Sequence, residues 1–104
     1  MSNLTLKETA VRDLSELLQY ISVDLCNPTA AKKLHIEIME TFDRICLFPK
    51  SAPLVNYAIP RQLGIRKQVV KNFCIFYSYD KDTDNVVILY VQYAARDFDK
   101  LKLD

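Results

Sequence analysis

Five basic side chains lie within one stretch of the chain that holds no acidic residue. The stretch runs from residue 50 to residue 72, and its cations are Lys50, Arg61, Arg66, Lys67 and Lys71. The chain as a whole carries only +1, so this block conceals a net negative charge elsewhere. Concentrated positive charge predicts a surface for an anionic partner, because Lys and Arg bind phosphates with little sequence selectivity. The alternative is a solvated strand face whose lysines discourage edge pairing.

The other residues that could take part in catalysis or metal binding form no recognisable site. Cys26, Cys46 and Cys74 are odd in number and too widely spaced for a zinc site, and their apolar neighbours predict buried, reduced thiols. His35 stands alone, which favours a structural or exposed histidine. The acidic turn at 80–85 lacks the glycine and the glutamate of a calcium loop. The sequence therefore predicts no metal and no cofactor.

The length and composition predict one globular domain. The chain has 104 residues, of which 50% are hydrophobic and 26% are charged. This length suits a single domain spanning residues 1–104, and no apolar run approaches the roughly 20 residues of a membrane span. The charged N-terminal segment does not resemble a secretory signal, and reduced thiols are typical of the cytoplasm. We therefore expect a cytoplasmic protein.

The first half of the chain predicts a strand followed by two helices. Residues 3–7 are typical of a short strand, and residues 9–25 carry an apolar stripe at helical spacing. Asn27 suits an N-cap and Pro28 suits the first turn of a second helix, which Pro49 ends. So short a break between two helices predicts an antiparallel hairpin.

The second half predicts strands. Residues 65–70 and 73–79 flank a hairpin turn at Lys71 and Asn72, and residues 86–93 form an apolar run typical of a central strand. The segment 94–104 is expected to be an edge strand or a tail. The predicted fold is therefore α+β: an N-terminal strand and an antiparallel two-helix hairpin packed on a mainly antiparallel four-stranded sheet.

An ordered set of short motifs extends over residues 4–101. The motifs are Ala10-x-x-Asp13-Leu14, Tyr20-Ile21, Asn27-Pro28-x-Ala30-Ala31, Phe48-Pro49, Ile65-Arg66-Lys67-x-Val69, Asn72-Phe73-x-Ile75-Phe76-Tyr77 and Ala95-Arg96-Asp97. No single motif is specific, but in their order and spacing they resemble the RelE/ParE superfamily of bacterial toxins.

The resemblance implies a toxin of a type II toxin–antitoxin module, neutralised by a cognate antitoxin protein. ParE-like members poison DNA gyrase, whereas RelE-like members cleave mRNA on the ribosome without a metal ion. RelE-like cleavage needs several cations that converge on the phosphate, since they must stabilise the charge that develops in the transition state. The target is therefore either gyrase or the ribosome with its mRNA.

The match to the RelE-like pattern is incomplete. Lys67 matches a lysine of the RelE-like strand, but Cys74 stands where an arginine follows the aromatic residue. No tyrosine follows Tyr93, which itself stands where related nucleases place a histidine. Arg96 lies two residues beyond the simplest match to a second arginine. These departures, together with the long helical hairpin, favour gyrase poisoning over ribosome-dependent RNA cleavage.

The two mechanisms assign overlapping sites. If the protein is a nuclease, we expect Arg66 and Lys67 to hold the phosphate, Arg96 to stabilise charge, and Tyr93 to stack on a base or shuttle a proton. If it poisons gyrase, the enzyme–DNA complex is expected to contact five cations, Arg61, Arg66, Lys67, Lys71 and Arg96. The antitoxin is expected to bind the apolar residues of the tail, Phe98, Leu101 and Leu103.

Overall fold

The structure is a computed structural model that describes residues 1–55 and 64–93. It confirms the predicted α+β fold and the order of its elements. Strand β1 (Asn3–Leu6) leads into helix α1 (Glu8–Gln19) and a π-helical turn (Tyr20–Asp24), and helix α2 (Pro28–Leu47) follows. Strands β2 (Ile65–Val70), β3 (Phe73–Asp80) and β4 (Asn85–Tyr93) complete the described fold. Neither helix is long and apolar enough to cross a membrane.

The sheet has the order β1-β4-β3-β2, with β4 at its centre as the apolar run predicted. Strand β4 pairs antiparallel with β3 and parallel with β1, so the sheet is mainly antiparallel with one parallel pair. Lys71 adopts a positive φ of 51° in the β2–β3 turn, which brings Val70 opposite Phe73. This turn confirms the predicted hairpin.

Both helices pack on one face of the sheet. Helix α2 begins as predicted, because the Asn27 side chain accepts a hydrogen bond from the Ala30 amide at 3.1 Å and Pro28 occupies the first turn. The core between helices and sheet contains the stripe predicted for α2 and the inward residues of β3 and β4. Its largest fully buried side chains include Ile38, Phe42, Ile75, Tyr77, Val86 and Ile88.

The tip of the helical hairpin differs from the sequence prediction. Helix α1 was expected to run to Leu25, but the chain widens into the π-helical turn after Gln19, with the Leu25 amide bonded to the Tyr20 carbonyl. Leu25 is therefore exposed instead of continuing the buried stripe. Cys26 adopts a positive φ of 49° to turn the chain, and its thiol is exposed. The prediction that all three thiols are buried was wrong for Cys26.

Helix α1 is fastened to the central strand by two side chains one helical turn apart. The Thr9 hydroxyl donates to the Leu89 carbonyl at 2.8 Å, and the Asp13 carboxylate accepts from the Val91 amide at 3.2 Å. Burial is the main reason why the pKa of Asp13 is raised above its ordinary value. Asp13 thus supplies a needed acceptor and carries a partly desolvated charge.

Asp13→Asn should keep the acceptor and remove the charge. We expect its free energy of unfolding at pH 7 to match or exceed that of the natural chain, whereas Asp13→Ala should lose about 1–3 kcal/mol because the Val91 amide loses its partner. The folded chain binds the Asp13 proton more tightly than the unfolded chain does. The contribution of Asp13 to the free energy of unfolding therefore decreases as pH rises from about 4, the pKa in the unfolded chain, through the raised pKa in the folded chain.

Urea unfolding from pH 3 to pH 8 measures both effects. The stability difference between the natural chain and Asp13→Asn should grow in favour of Asn across that interval. An Asn variant as unstable as the Ala variant at every pH would show that the carboxylate charge itself is required.

Candidate functional site

The two adjacent cations of strand β2 lie on opposite faces of the sheet. Arg66 pairs with Tyr77 of β3 and shares the helix-covered face, whereas Lys67 pairs with Phe76 and shares the other face, here called the second face. This separation follows from the two-residue period of a strand. The structure therefore does not bring Arg66 and Lys67 together on one surface, although both are sequence-predicted site residues.

Arg66 holds the segment that follows helix α2. Its Nη1 donates to the backbone oxygen of Ala52 at 2.6 Å and to that of Lys50 at 3.2 Å. The hydroxyl of Tyr77, its cross-strand neighbour, donates to the Pro49 oxygen at 2.8 Å. Burial raises the pKa of Tyr77, so this phenol stays protonated as a donor. The Arg66–Tyr77 pair thus satisfies three loop carbonyls.

The outer edge of β2 is also partly occupied by the chain itself. The Lys67 amide donates to the Pro53 carbonyl at 3.1 Å, and the Val55 amide donates to the Ile65 carbonyl at 2.8 Å. Leu54 forms an isolated antiparallel bridge with Arg66. A partner strand that added at this edge would have to displace these bonds.

The second face carries a row of three side chains across three strands. Lys67 of β2 is opposite Phe76 of β3, and Phe76 is opposite Tyr90 of β4. The rings of Phe76 and Tyr90 meet edge to face with centroids 6.5 Å apart. Phe76 is buried, whereas Lys67 and Tyr90 are each partly exposed. We call these three residues the cross-strand row.

Cys74 lies beside this row, in surroundings that disfavour its thiolate form. It is 2% exposed and packs in a small apolar cluster with Val55 and Phe76. Burial raises the pKa of the Cys74 thiol, and the positive charge of Lys67 only partly opposes that effect. A neutral thiol is a poor nucleophile.

The remaining predicted cations do not join Lys67 in the described structure. The ammonium of Lys71 lies 2.9 Å from a carboxylate oxygen of Glu37 on helix α2, on the helix side of the β2–β3 turn. Five predicted site residues, Arg61, Arg96, Phe98, Leu101 and Leu103, fall outside the described residues. The backbone of Tyr93 pairs with Phe73 at the end of β4, and its side chain is likewise outside the description.

An apolar groove of about 390 Å³ opens between the π-helical turn, the start of α2 and the β2–β3 turn. Its walls include Leu17, Tyr20, Leu25 and Leu34, and its rim includes Lys33. Tyr20 and Leu25 are exposed there, whereas Leu34 is buried. Exposed apolar patches often mark interaction surfaces. Residues 1–55 and 64–93 contain no group of three side chains that could hold a metal ion.

Sequence reasoning missed the ring contact of Tyr90 with Phe76 and the hydrogen bonds of Thr9 and Asp13 to strand β4. Tyr90 lies inside an apolar run that reads as uniformly buried. A partial signal exists for Asp13, because a carboxylate between Ala10, Leu14 and Leu17 stands beside the apolar stripe of α1. A polar residue at that position predicts a specific partner in the sheet.

Comparisons with known proteins agree with the geometry of the fold. Residues 4–98 match the family model described as the ParE toxin of the type II toxin–antitoxin system parDE. A chain from the chromosomal ParDE system of P. aeruginosa is similar in structure, with 19% identity, a TM-score of 0.71, and coverage of 89% of this chain and 96% of that one.

Two toxin–antitoxin complexes named RelBE are also similar in structure. A chain of the Mycobacterium tuberculosis complex has 19% identity, a TM-score of 0.64, and coverage of 91% of this chain and 93% of that one. A chain of the intact E. coli complex has 15% identity, a TM-score of 0.58, and coverage of 92% and 100%. At these identities the likeness shows the fold. A search of curated proteins found no significant match.

The different positions of Arg66 and Lys67 predict different consequences of mutation. Arg66→Ala should lower the free energy of unfolding by about 1–3 kcal/mol, because it leaves the Ala52 and Lys50 carbonyls without their charged donor. Lys67→Met keeps the aliphatic stem and should change stability by less than about 0.5 kcal/mol. Denaturant unfolding of both variants measures this difference. Equal losses would contradict the assignment of Arg66 to the loop.

Proposed function

The chain belongs to the ParE toxin family of type II toxin–antitoxin systems, and from that membership we propose that it arrests growth by poisoning DNA gyrase. The observation that carries the proposal is the family match over residues 4–98, which is to ParE. The mechanism follows from the resemblance of this chain to ParE-like toxins, which poison DNA gyrase. In this role the protein binds the enzyme–DNA complex and performs no chemistry of its own.

The positions of the cations support binding over RNA cleavage. Metal-free cleavage requires several positive side chains that converge on one phosphate. In the described part of the chain, Arg66 reaches loop carbonyls and Lys71 pairs with Glu37, while Lys67 stands among apolar and aromatic neighbours on the second face. This arrangement favours a surface that recognises a protein.

Within this proposal the predicted target-binding residues take separate roles. Lys67 contacts the target directly from the second face, and Arg61, Lys71 and Arg96 add positive charge that attracts an enzyme bound to DNA. Arg66 contributes indirectly, because it holds residues 50–52, which precede Arg61 in the chain.

A cognate antitoxin is the second partner that we propose. The similar structures from M. tuberculosis and E. coli are complexes with antitoxins. We assign two apolar surfaces to this partner: the tail residues Phe98, Leu101 and Leu103, and the groove at the hairpin tip. The exposed ammonium of Lys33 on the groove rim suits an amphipathic segment that carries an acidic residue.

Gyrase poisoning predicts a specific product in a purified reaction. Incubated with gyrase, ATP and supercoiled plasmid, the chain should trap cleavage complexes that appear as linear DNA after detergent and protease. Lys67→Met should need about tenfold more protein for the same effect, the equivalent of ~1.4 kcal/mol. Lys81→Met, at an exposed turn position, is the matched control and should behave as the natural chain does.

The opposite result has its own signature. New mRNA 5′ ends at ribosomal A-site positions in a cell-free translation reaction, together with an unaffected gyrase, would establish the RelE-type endonuclease instead. Primer extension with and without ribosomes distinguishes that activity from contaminating nucleases.

Antitoxin binding predicts a complex that depends on the groove. The product of the neighbouring gene should co-purify with the chain, and Leu25→Glu should weaken the complex because it places a charge in the groove. Val11→Glu is the matched control, since Val11 is equally exposed on α1 and lies outside the groove. Equal affinities of the two variants would exclude the groove from the antitoxin interface.

A further inference from the structure

Strand β4 contains a bulge at its middle. Phe76 pairs with Tyr90 and Tyr77 pairs with Ile88, so Leu89 is an extra residue without a partner in β3. A bulge interrupts the alternation of side chains. As a result, the consecutive residues Leu89 and Tyr90 both pack against the apolar cluster of the second face.

Helix α1 supplies bonds to backbone groups at this bulge, on either side of Tyr90. The Thr9 hydroxyl donates to the Leu89 carbonyl, and the Asp13 carboxylate accepts from the Val91 amide. Bulges leave ladder groups unpaired, and buried backbone groups require partners. Two side chains four residues apart on one helix therefore stabilise the backbone on both sides of Tyr90.

Tyr90 differs from the other tyrosines of the sheet whose side chains are described. The hydroxyl of Tyr77 donates to the Pro49 carbonyl, and that of Tyr79 donates to the Asp84 carboxylate at 2.8 Å. The Tyr90 ring packs edge to face on Phe76, and its hydroxyl has no hydrogen-bond partner among the described residues. A partly exposed phenol with an available hydroxyl is a frequent anchor in protein interfaces.

We propose that Tyr90 is a target-binding residue that acts together with Lys67, and that Thr9 and Asp13 are the positioning residues that hold it on the second face. The proposal rests on the proposed function, in which Lys67 contacts the target. The backbones of Lys67 and Tyr90, the two partly exposed ends of the cross-strand row, lie two strand spacings apart, roughly 10 Å. An ammonium and a phenol presented from these two strands suit an acidic segment of a protein, with a carboxylate at Lys67 and a second acceptor at Tyr90.

The first arm of the test removes the proposed contact. Growth arrest is measured against the amount of induced protein for Tyr90→Phe and Tyr90→Ala, with Phe48→Ala as the control at an exposed aromatic residue outside both proposed binding surfaces. We expect Tyr90→Ala to need about tenfold or more protein, Tyr90→Phe a few-fold more, and Phe48→Ala the same amount as the natural chain. Circular dichroism confirms that each variant is folded.

The second arm tests positioning. Thr9→Val and Asp13→Ala each remove one bond to the bulge, Asp13→Asn retains an acceptor, and Ser15→Ala is the control on the outer face of α1. In folded Thr9→Val and Asp13→Ala we expect faster amide exchange at Val91 and a weaker nuclear Overhauser effect between the Phe76 and Tyr90 rings, with reduced toxicity. Asp13→Asn should restore all three readouts.

The outcomes separate this proposal from the assignment of gyrase. If Tyr90→Ala is as toxic as the natural chain, Tyr90 is not a target contact, whatever the target is. If the Tyr90 variants lose toxicity but the natural chain traps no gyrase cleavage complexes, the surface stands and gyrase is the wrong target. Unchanged ring contacts in folded Asp13→Ala would overturn the positioning role.

Discussion

The alternation of side chains across the sheet is the constraint on which the rest of the structure depends. Strand β4 lies at the centre of the sheet. Because side chains alternate along a strand, each residue points either into the helix-covered core or towards the second face. In β2 this alternation divides two adjacent cations: Arg66 stabilises the segment after α2, and Lys67 remains beside the second-face cluster. The bulge at Leu89 interrupts this alternation, and it is also the place where helix α1 bonds to the central strand.

The consequence for function is that charge in the sequence does not equal charge at a site. The block at residues 50–72 looks like one basic surface when it is counted along the chain. In the structure, Arg66 satisfies carbonyls, Lys71 forms an ion pair with α2, and the second face presents one described cation beside two aromatic rings. A cation beside aromatic rings is a combination that occurs frequently in protein interfaces.

Much of the fold could be predicted from the sequence because local signals and tertiary packing agree. The Asn27-Pro28 break, the stripe of α2, the Lys71–Asn72 turn and the central position of β4 each have a local cause. The end of α1 could not be predicted from the sequence, since the π-helical turn depends on how the helical hairpin closes. Because of this turn, Leu25 and Cys26 are exposed.

The candidate site was less predictable because it depends on register. A shift of the β2–β3 register by one residue would exchange the faces of Arg66 and Lys67. The bulge at Leu89 lies within an apolar run that hides it, and Tyr90 therefore looked like any other core residue. Only the pairing with Phe76 and the two bonds from α1 reveal its place.

The most direct test of the central claim is site-specific photocrosslinking in growing cells. Tyr90 is replaced by p-benzoyl-phenylalanine, and Tyr20 is replaced in the same way as the control at the hairpin tip. After irradiation, mass spectrometry should identify a gyrase subunit crosslinked from position 90 and not from position 20. Crosslinks from position 90 to ribosomal components, with none to gyrase, would contradict the account.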